Sequence, residues 1–222
     1  MLEIKKYAAI DIGSNAIRLL ISNVIVEKDK EPQFRKSSLV RVPIRLGADT
    51  FVSGEITHTN IQRMIDAMEA FKLLMNINNV EKYKACATSA MREAINGKEV
   101  AKEIFKKTGV EIDIIGGKKE AAIISSTDLN ELIEGDSSYL YVDVGGGSTE
   151  FTIFSKGRII NSKSFKIGTV RLINNSKSEN KIIYKDVQKW VEENTKNLKK
   201  LSLIGSGGNI NKLFKMSGRT IG

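Results

Sequence analysis

The chain has 222 residues, of which 41% are hydrophobic and 27% charged, and its formal net charge is +9. This length and composition are typical of a folded globular protein with one large domain or two small ones. One cysteine and one histidine exclude an internal disulfide and argue against zinc sites and serine–histidine triads. The sequence has neither a long apolar run nor a signal-peptide core, so we expect a cytoplasmic protein with no membrane partner.

The positive charge is compatible with nucleic acid, with a small polyanion or with a lysine-rich surface alone. Aromatic residues make up only 6% of the chain, which leaves few candidates for stacking on bases. No nucleic-acid-binding motif accompanies the charge. We therefore predict a compact polyanion as the ligand and no nucleic acid.

The first half of the chain is predicted to alternate strands and helices in an α/β layer. Apolar residues recur every three or four positions between residues 59 and 75, which predicts an amphipathic helix. The predicted elements are, in order, a hairpin YAAIDI-GSNA-IRLLISNVIV, a strand within FRKSSLVRVPIRL, the helix at 59–75, the strand KYKACAT, the helix GKEVAKEIFKKTG ending at Gly109, the strand VEIDII and a helix from residue 118 to about 133.

The second half is predicted to repeat the first. It contains the strand YLYVDV, a glycine turn, two strands in EFTIFSKGRIINSKSFKI, a helix over 186–199, the strand LSLI and the turn and helix GSGGNINKLFKM. The stretches AAIDIGSN and LYVDVGGGS share an apolar strand ending in Asp, followed by glycine and serine. We infer a duplicated domain, with the two copies facing each other across a cleft.

The two glycine turns are the first candidate site. Each follows an Asp at the carboxyl end of a strand, Asp11 or Asp143, where α/β folds place ligands. The glycines 145–147 and Ser148 would expose a row of backbone amides able to hold phosphate. A hairpin that needs glycine only for positive φ angles is the alternative. The matching turn in the first half favours a ligand.

A second glycine-rich stretch, GSGGNI, follows a strand and opens a helix. Gly207 and Gly208 in this stretch are candidates for binding an anion through helix N-terminal amides. Alone, this motif is only a weak indication of an anion site. Its position, in the expected place in the second half, supports the prediction.

Three carboxylates are candidates for the chemistry at this site. Asp143 and Glu150 flank the glycine turn and could together hold Mg²⁺. A solvent-facing charge at the strand edge is the alternative for Glu150. Glu120 lies in the first turn of a helix, where the helix dipole favours a carboxylate whether or not it is catalytic.

Two arginines are further candidates for contacting phosphate. Arg92 follows a strand within ATSAMREAIN, and Arg18 lies on the first hairpin. A guanidinium can bind phosphate oxygens with two parallel hydrogen bonds. A surface salt bridge is the alternative for each.

Six stretches occur in the order and context of one known family. The sequence resembles the exopolyphosphatase and guanosine pentaphosphate phosphohydrolase family on DIGSNAIRLL, ATSAMREAIN, IIGGKKEA, VDVGGGSTEF, FKIGTVRL and GSGGNI. The resemblance implies two ribonuclease-H-like domains of the actin-like ATPase superfamily, which we expect over residues 1–123 and 124–222. The family's second domain continues beyond the GSGGNI helix, so we expect it to be incomplete in this chain.

The resemblance also implies roles for individual residues. Glu120 matches the catalytic base, and Asp143 and Glu150 match the acidic residues of the catalytic and magnesium site. The remaining matches are phosphate-binding positions. The phosphate loop is matched by Gly145, Gly146, Gly147 and Ser148, and other phosphate-contacting positions are matched less closely by Ser14, Asn15, Arg18 and Arg92. Lys119 stands where the family usually has a first glutamate, and Asn209 where threonine is more common.

The implied function is hydrolysis of terminal phosphoanhydride bonds in inorganic polyphosphate, guanosine pentaphosphate or both. The cofactor would be Mg²⁺, and family members often pair, which implies a homodimer. Two alternatives stay open: a non-catalytic sensor of alarmones or polyphosphate, and an ATP-dependent small-molecule kinase of the same superfamily.

Overall fold

The computed structural model describes residues 2–125, 137–156 and 158–219. The chain divides into two compact units, Met1–Ile115 and Gly116–Gly222. The division comes earlier than the expected boundary at 123, because helix α5 (Gly117–Ser125) packs against strands of the second unit. Among the described helices, none is long and apolar enough to cross a membrane.

The first unit is built on a five-stranded sheet of order β3-β2-β1-β4-β5. Strand β1 pairs with β2 in antiparallel fashion and with β4 in parallel. The strands are β1 (Leu2–Ile12), β2 (Ile17–Glu27), β3 (Gln33–Val42), β4 (Lys82–Ala87) and β5 (Ile112–Ile114).

Four helices accompany this sheet: α1 (Leu46–Ser53), α2 (His58–Ile77), α3 (Ser89–Glu93) and α4 (Gly97–Thr108). The buried stripe of α2 includes Met64, Met68 and Phe71, which join the strand residues in one hydrophobic core. Helix α4 ends at Gly109 in the left-handed conformation, as the sequence predicts. Helices α1 and α3 were not predicted.

The second unit is built on a four-stranded sheet of order β8-β7-β6-β9. Its strands are β6 (Ser138–Val144), β7 (Thr149–Ser155), β8 (Arg158–Phe165) and β9 (Leu201–Ser206). Its helices, after α5, are α6 (Thr169–Asn174), α7 (Lys177–Thr195) and α8 (Gly208–Met216). The core joins Leu140 and Ile153 of the sheet to Phe165 and Trp190, whose rings meet edge to face.

Two helices of the second unit, α7 and α5, have bounds that differ from the predicted ones or are described only in part. Helix α7 begins at Lys177 rather than at residue 186, because Ser176 and Glu179 form a capping box that starts it earlier. Helix α5 is described as far as Ser125. The predicted continuation to about residue 133 lies outside the described residues.

The two sheets share one arrangement. In each, a central strand (β1 or β6) forms an antiparallel hairpin with the next strand and a parallel pair with a later one (β4 or β9). A third antiparallel strand completes the hairpin side in both. This common order agrees with the duplication inferred from the sequence.

Candidate active site

The hairpin turns of the two units are closed by the same hydrogen bond. The Gly13 amide donates to the Ala16 carbonyl at 3.1 Å, and the Gly145 amide donates to the Ser148 carbonyl at 3.0 Å. The residues that flank the turns are paired in register, so that Asp11 lies opposite Arg18. In the second unit the equivalent partners are Asp143 and Glu150.

In the first unit the predicted phosphate contacts have protein partners. Arg18 Nη1 donates to Asp11 Oδ2 at 2.6 Å. The buried Ser14 hydroxyl lies 2.9 Å from the Ser89 hydroxyl. Asn15 is exposed.

Arg92 lies at the end of α3 and donates from Nη1 to the Ile115 carbonyl at 2.7 Å. This bond fixes the side chain between α3 and the residue that follows β5. The roles of Ser14, Asn15, Arg18 and Arg92 in binding phosphate stay predictions.

Glu150 is held in place by two hydroxyl groups. Its side chain is buried, at 2% exposure. Glu150 Oε1 accepts from Ser148 Oγ at 2.6 Å and from Ser164 Oγ at 2.8 Å. The alternative of a solvent-facing charge at the strand edge is therefore wrong. The carboxylate has a fixed orientation beside the glycine turn.

Asp143 accepts a chain of hydrogen bonds that starts at Tyr141. The Tyr141 hydroxyl donates to Ser206 Oγ at 2.8 Å, and Ser206 Oγ donates to Asp143 Oδ1 at 2.5 Å. Burial raises the pKa of Tyr141, the bond with Ser206 lowers it and the charge of Asp143 raises it again, with a net rise. The phenol therefore keeps its proton at neutral pH.

Asp143 and Glu150 suit a magnesium ion. Directly opposed residues of an antiparallel pair have Cβ atoms about 4.5–5.5 Å apart, and like charges at such positions repel each other. A cation between these two carboxylates would remove that repulsion. Among the described residues, no group of three or more His, Cys, Asp or Glu side chains could hold a metal. Two carboxylates completed by water and phosphate oxygens are the ligand set typical of Mg²⁺.

The glycine turn offers unused amides. Within the described part of the chain, the amides of Gly146, Gly147 and Ser148 donate to no protein acceptor. Ser148 is only 4% exposed, and a buried amide without an acceptor is costly. A bound anion would supply the missing acceptor.

The GSGGNI stretch lies beside the same strand end. A Cβ on Gly207 would come within 2.5 Å of the Val144 carbonyl oxygen and 3.3 Å of Asp143 Oδ1. Gly207 also has a φ of +100°, so glycine is required there for both space and conformation. Gly208 begins α8 with open space around its Cα.

Glu120 lies in the first turn of α5, and its amide donates to the Gly116 carbonyl at 3.0 Å. This first turn of α5 packs against the site: Gly117 lies so close to Ser164 that a Cβ on Gly117 would come within 2.8 Å of Ser164 Cβ. Ser164 is one of the two donors to Glu150. Residues three apart lie on one side of a helix, so Glu120 follows Gly117 on the side that meets Ser164. Lys119 is exposed.

Several residues at the site were not predicted as functional. Ser206 reaches Asp143 from β9, a strand distant in sequence but adjacent in the sheet, and Ser164 reaches Glu150 from the directly opposed position on the next strand, β8. Arg171 donates from Nε to the Gly147 carbonyl at 2.9 Å. The FKIGTVRL stretch that contains Arg171 was noted in the sequence only as part of the resemblance.

Comparison with known proteins gives consistent matches. The chain is 36% identical over 224 aligned residues to a bifunctional 3-dehydroquinate synthase/phosphatase of Fusobacterium nucleatum, covering 90% of this chain and 32% of that protein. It is 28% identical over 180 residues to exopolyphosphatase 2 of Mycobacterium tuberculosis, covering 75% of this chain and 53% of that one. The chain thus spans about half, or less, of the curated relatives it matches.

Solved structures agree with these relatives. The crystal structure of the Aquifex aeolicus member of the Ppx/GppA protein family matches with a TM-score of 0.75 and 25% identity, covering 97% of this chain and 70% of that one. This match confirms the predicted α/β fold as that of the Ppx/GppA protein family. Residues 24–213 match the Ppx/GppA phosphatase family itself. The chain therefore belongs to the Ppx/GppA phosphatase family.

Proposed function

We propose that the chain hydrolyses terminal phosphoanhydride bonds of inorganic polyphosphate, of guanosine pentaphosphate or of both, and releases orthophosphate. The observation that supports this most is the pair Asp143 and Glu150 beside a turn whose three inner amides have no acceptor among the described residues. Family membership and the name of the exopolyphosphatase relative point to the same substrate class.

The glycine turn binds the terminal phosphoryl group in this proposal. The amides of Gly146, Gly147 and Ser148 donate to its oxygens and stabilise the charge that they carry during transfer. The amides of residues 207 and 208, beside Asp143, are the candidates for the next phosphate. Arg18 and Arg92 remain the predicted guanidinium contacts.

Asp143 and Glu150 would hold Mg²⁺. The hydroxyl groups of Ser206, Ser148 and Ser164 donate to the two carboxylates and orient them. When bound, the ion supplies positive charge beside the phosphoryl oxygens.

Glu120 is the proposed general base. It takes a proton from a water molecule whose oxygen forms a bond to the terminal phosphorus, while the bond from that phosphorus to the bridging oxygen breaks. The shortened polyphosphate or guanosine nucleotide leaves with the bridging oxygen. Because Lys119 stands where relatives often carry a glutamate, the position before Glu120 offers no second carboxylate to act as the base.

The proposal is tested by measuring orthophosphate release from inorganic polyphosphate and from guanosine pentaphosphate, with Mg²⁺ and with EDTA, on the full chain. We expect release that requires Mg²⁺. Binding of either compound without release would instead indicate a sensor. Transfer of phosphate from ATP to an acceptor other than water would indicate a kinase.

A further inference from the structure

The carbonyl groups of the glycine turn are all held by one short segment, residues 168–171, which we call the clamp segment. The hydrogen bonds run from the amide of Thr169 to the Gly145 carbonyl (3.1 Å), from the amides of Val170 and Arg171 to the Gly146 carbonyl (2.8 and 3.3 Å), and from Arg171 Nε to the Gly147 carbonyl (2.9 Å). The turn therefore meets the clamp segment through its carbonyl side.

These bonds also set the direction of the turn's amides. A peptide group is planar and trans, so its N–H points opposite to its C=O. The carbonyls of residues 145, 146 and 147 share peptide groups with the amides of 146, 147 and 148. The three amides that have no acceptor in the described part of the chain are thus the ones that the clamp segment directs away from itself.

Gly168 allows the clamp segment to approach the backbone of the glycine turn closely. A Cβ at this position would lie 2.2 Å from the Gly146 oxygen and 2.4 Å from the Gly147 nitrogen. The backbone of Gly168 has φ −148° and ψ 157°, which any residue adopts. Glycine is therefore needed here for space and not for conformation.

Arg171 has a distinct part in this arrangement. The Gly147–Ser148 peptide is fixed by a side chain, whereas the two preceding peptides are fixed by backbone amides. We propose that Arg171 is a positioning residue, which orients the Ser148 amide toward the phosphoryl group through the Gly147 carbonyl. This inference deepens the proposed function and rests on it for the identity of the ligand.

The substitutions that test the role of Arg171 are Arg171→Met and Arg171→Lys, with Arg158→Met as the matched control. Lysine keeps the charge but places a methylene where Arg171 Nε donates. Arg158 is an exposed residue at the far end of strands β7 and β8, so its replacement removes the same charge away from the turn. The readouts are the affinity for inorganic tripolyphosphate with Mg²⁺, kcat and KM for phosphate release, the thermal midpoint and the ¹⁵N shift of the Ser148 amide.

We expect both Arg171 variants to bind tripolyphosphate roughly tenfold more weakly, the effect of one lost hydrogen bond. Their kcat/KM for phosphate release should fall by at least the same factor, their thermal midpoints should stay close to that of the wild type, and the Ser148 shift should move. The control should match the wild type. Wild-type affinity in Arg171→Met, full rescue by Arg171→Lys, or an equal loss in Arg158→Met would overturn the proposal.

The Ser148 shift separates this inference from the proposed function. If the wild-type chain neither binds nor hydrolyses tripolyphosphate or guanosine pentaphosphate, the proposed function fails. An unmoved Ser148 signal in both Arg171 variants would refute the positioning role, whatever the activity.

Discussion

At the scale of single residues, equivalent positions of the two turns carry opposite charges. Arg18 lies opposite Asp11 and binds it, whereas Glu150 lies opposite Asp143. The first pair is internally neutral and about half exposed, so it adds little to stability in water. In the second pair, two carboxylate side chains occupy directly opposed positions of the hairpin. The duplicated turn of the second unit is therefore the one suited to a metal ion and a polyanion.

The most informative single substitution is Glu120→Gln. It removes the proposed base and keeps the size of the side chain, so phosphate release should fall at least about a hundredfold while polyphosphate binding persists. Glu99→Gln is the matched control, because Glu99 also lies in the first turn of a helix. Both variants lose a helix-dipole interaction of about 0.3–1 kcal/mol, but only the first should lose turnover. An unchanged kcat in Glu120→Gln would remove Glu120 from the mechanism.

Glu150→Gln tests the magnesium site. Glutamine can still accept from Ser148 and Ser164, so the turn should keep its structure. The Mg²⁺ concentration that gives half-maximal phosphate release should rise at least about tenfold, because one charged ligand is lost. Glu3→Gln, an exposed carboxylate on β1, should leave that concentration unchanged. An equal Mg²⁺ dependence in the two variants would contradict the assignment.

At the scale of elements, the strand ends and the turns that follow them carry the site. Strand β6 supplies Asp143, β7 supplies Glu150, and the turn after β9 brings Gly207 against the end of β6. The glycines in these turns differ in what they require. Gly207 has a positive φ and no room for a Cβ, whereas Gly208 has neither constraint.

A comparison of two adjacent glycines tests this difference. Gly207→Ala should lower the free energy of unfolding by about 1–3 kcal/mol, because its φ of +100° and ψ of 160° suit only glycine. Gly208→Ala should leave stability unchanged or raise it slightly, since alanine favours the first turn of α8. Chemical denaturation of both variants measures the effect. Equal stabilities of the two variants would show that neither the Val144 carbonyl nor the backbone conformation excludes a Cβ at residue 207.

The junction between α1 and α2 depends on the charge of Asp49. Its Oδ2 accepts from the Thr57 amide (3.0 Å), the Thr57 hydroxyl (2.7 Å) and Asn60 Nδ2 (2.7 Å). Partial burial acts to raise the pKa of Asp49, but these bonds and the charge of Arg63 outweigh it and lower the pKa. The folded pKa lies below the unfolded one, so the stabilisation is present above about pH 3.9 and is lost as pH falls through the folded pKa.

Asp49→Asn should therefore lower the thermal midpoint by a few degrees at pH 7. The difference from the wild type should shrink once the pH is low enough to protonate Asp49 in the folded state. Glu55→Gln, an exposed carboxylate nearby, should not change the midpoint at either pH. A difference that stays constant down to pH 2 would show that the charge of Asp49 is not involved.

Local patterns explain why part of the fold could be predicted. The hairpins and α2 follow from alternation and helical spacing, and Asp143 and Glu150 flank one short turn, so their proximity is a local property. The short helices α1, α3 and α6 depend on tertiary packing, and their sequences are too short to show a clear helical repeat of apolar residues. The early start of α7 was readable from the capping box SKSE but was missed.

Two of the contacts that orient the site, those of Ser206 and Arg171, join segments that are not consecutive strands, and sequence spacing does not reveal them. Ser206 reaches Asp143 because β9 lies beside β6, and Ser164 reaches Glu150 because β8 lies beside β7. Arg171 reaches the glycine turn through a segment that follows β8. Strand order must be known before Ser206 can be identified as a partner, and the register of the β7–β8 hairpin must be known before Ser164 can be.

At the scale of the whole molecule, two units repeat one sheet arrangement within a member of the Ppx/GppA phosphatase family. Each unit has a four-residue turn after its first strand, closed by the same hydrogen bond. Among the described residues, the inner amides of both turns (14–16 and 146–148) donate to no protein acceptor. The second unit adds the opposed carboxylates and α5 with Glu120. The central claim is that its glycine turn is the phosphate site.

The most direct measurement of that claim is a titration of the ¹⁵N-labelled full chain with Mg²⁺ and inorganic tripolyphosphate, followed by amide chemical shifts. We predict that the largest changes fall on Gly146, Gly147 and Ser148. The claim would be contradicted if tripolyphosphate bound while these three amides stayed unshifted, or if the largest changes fell on the turn at residues 13–16.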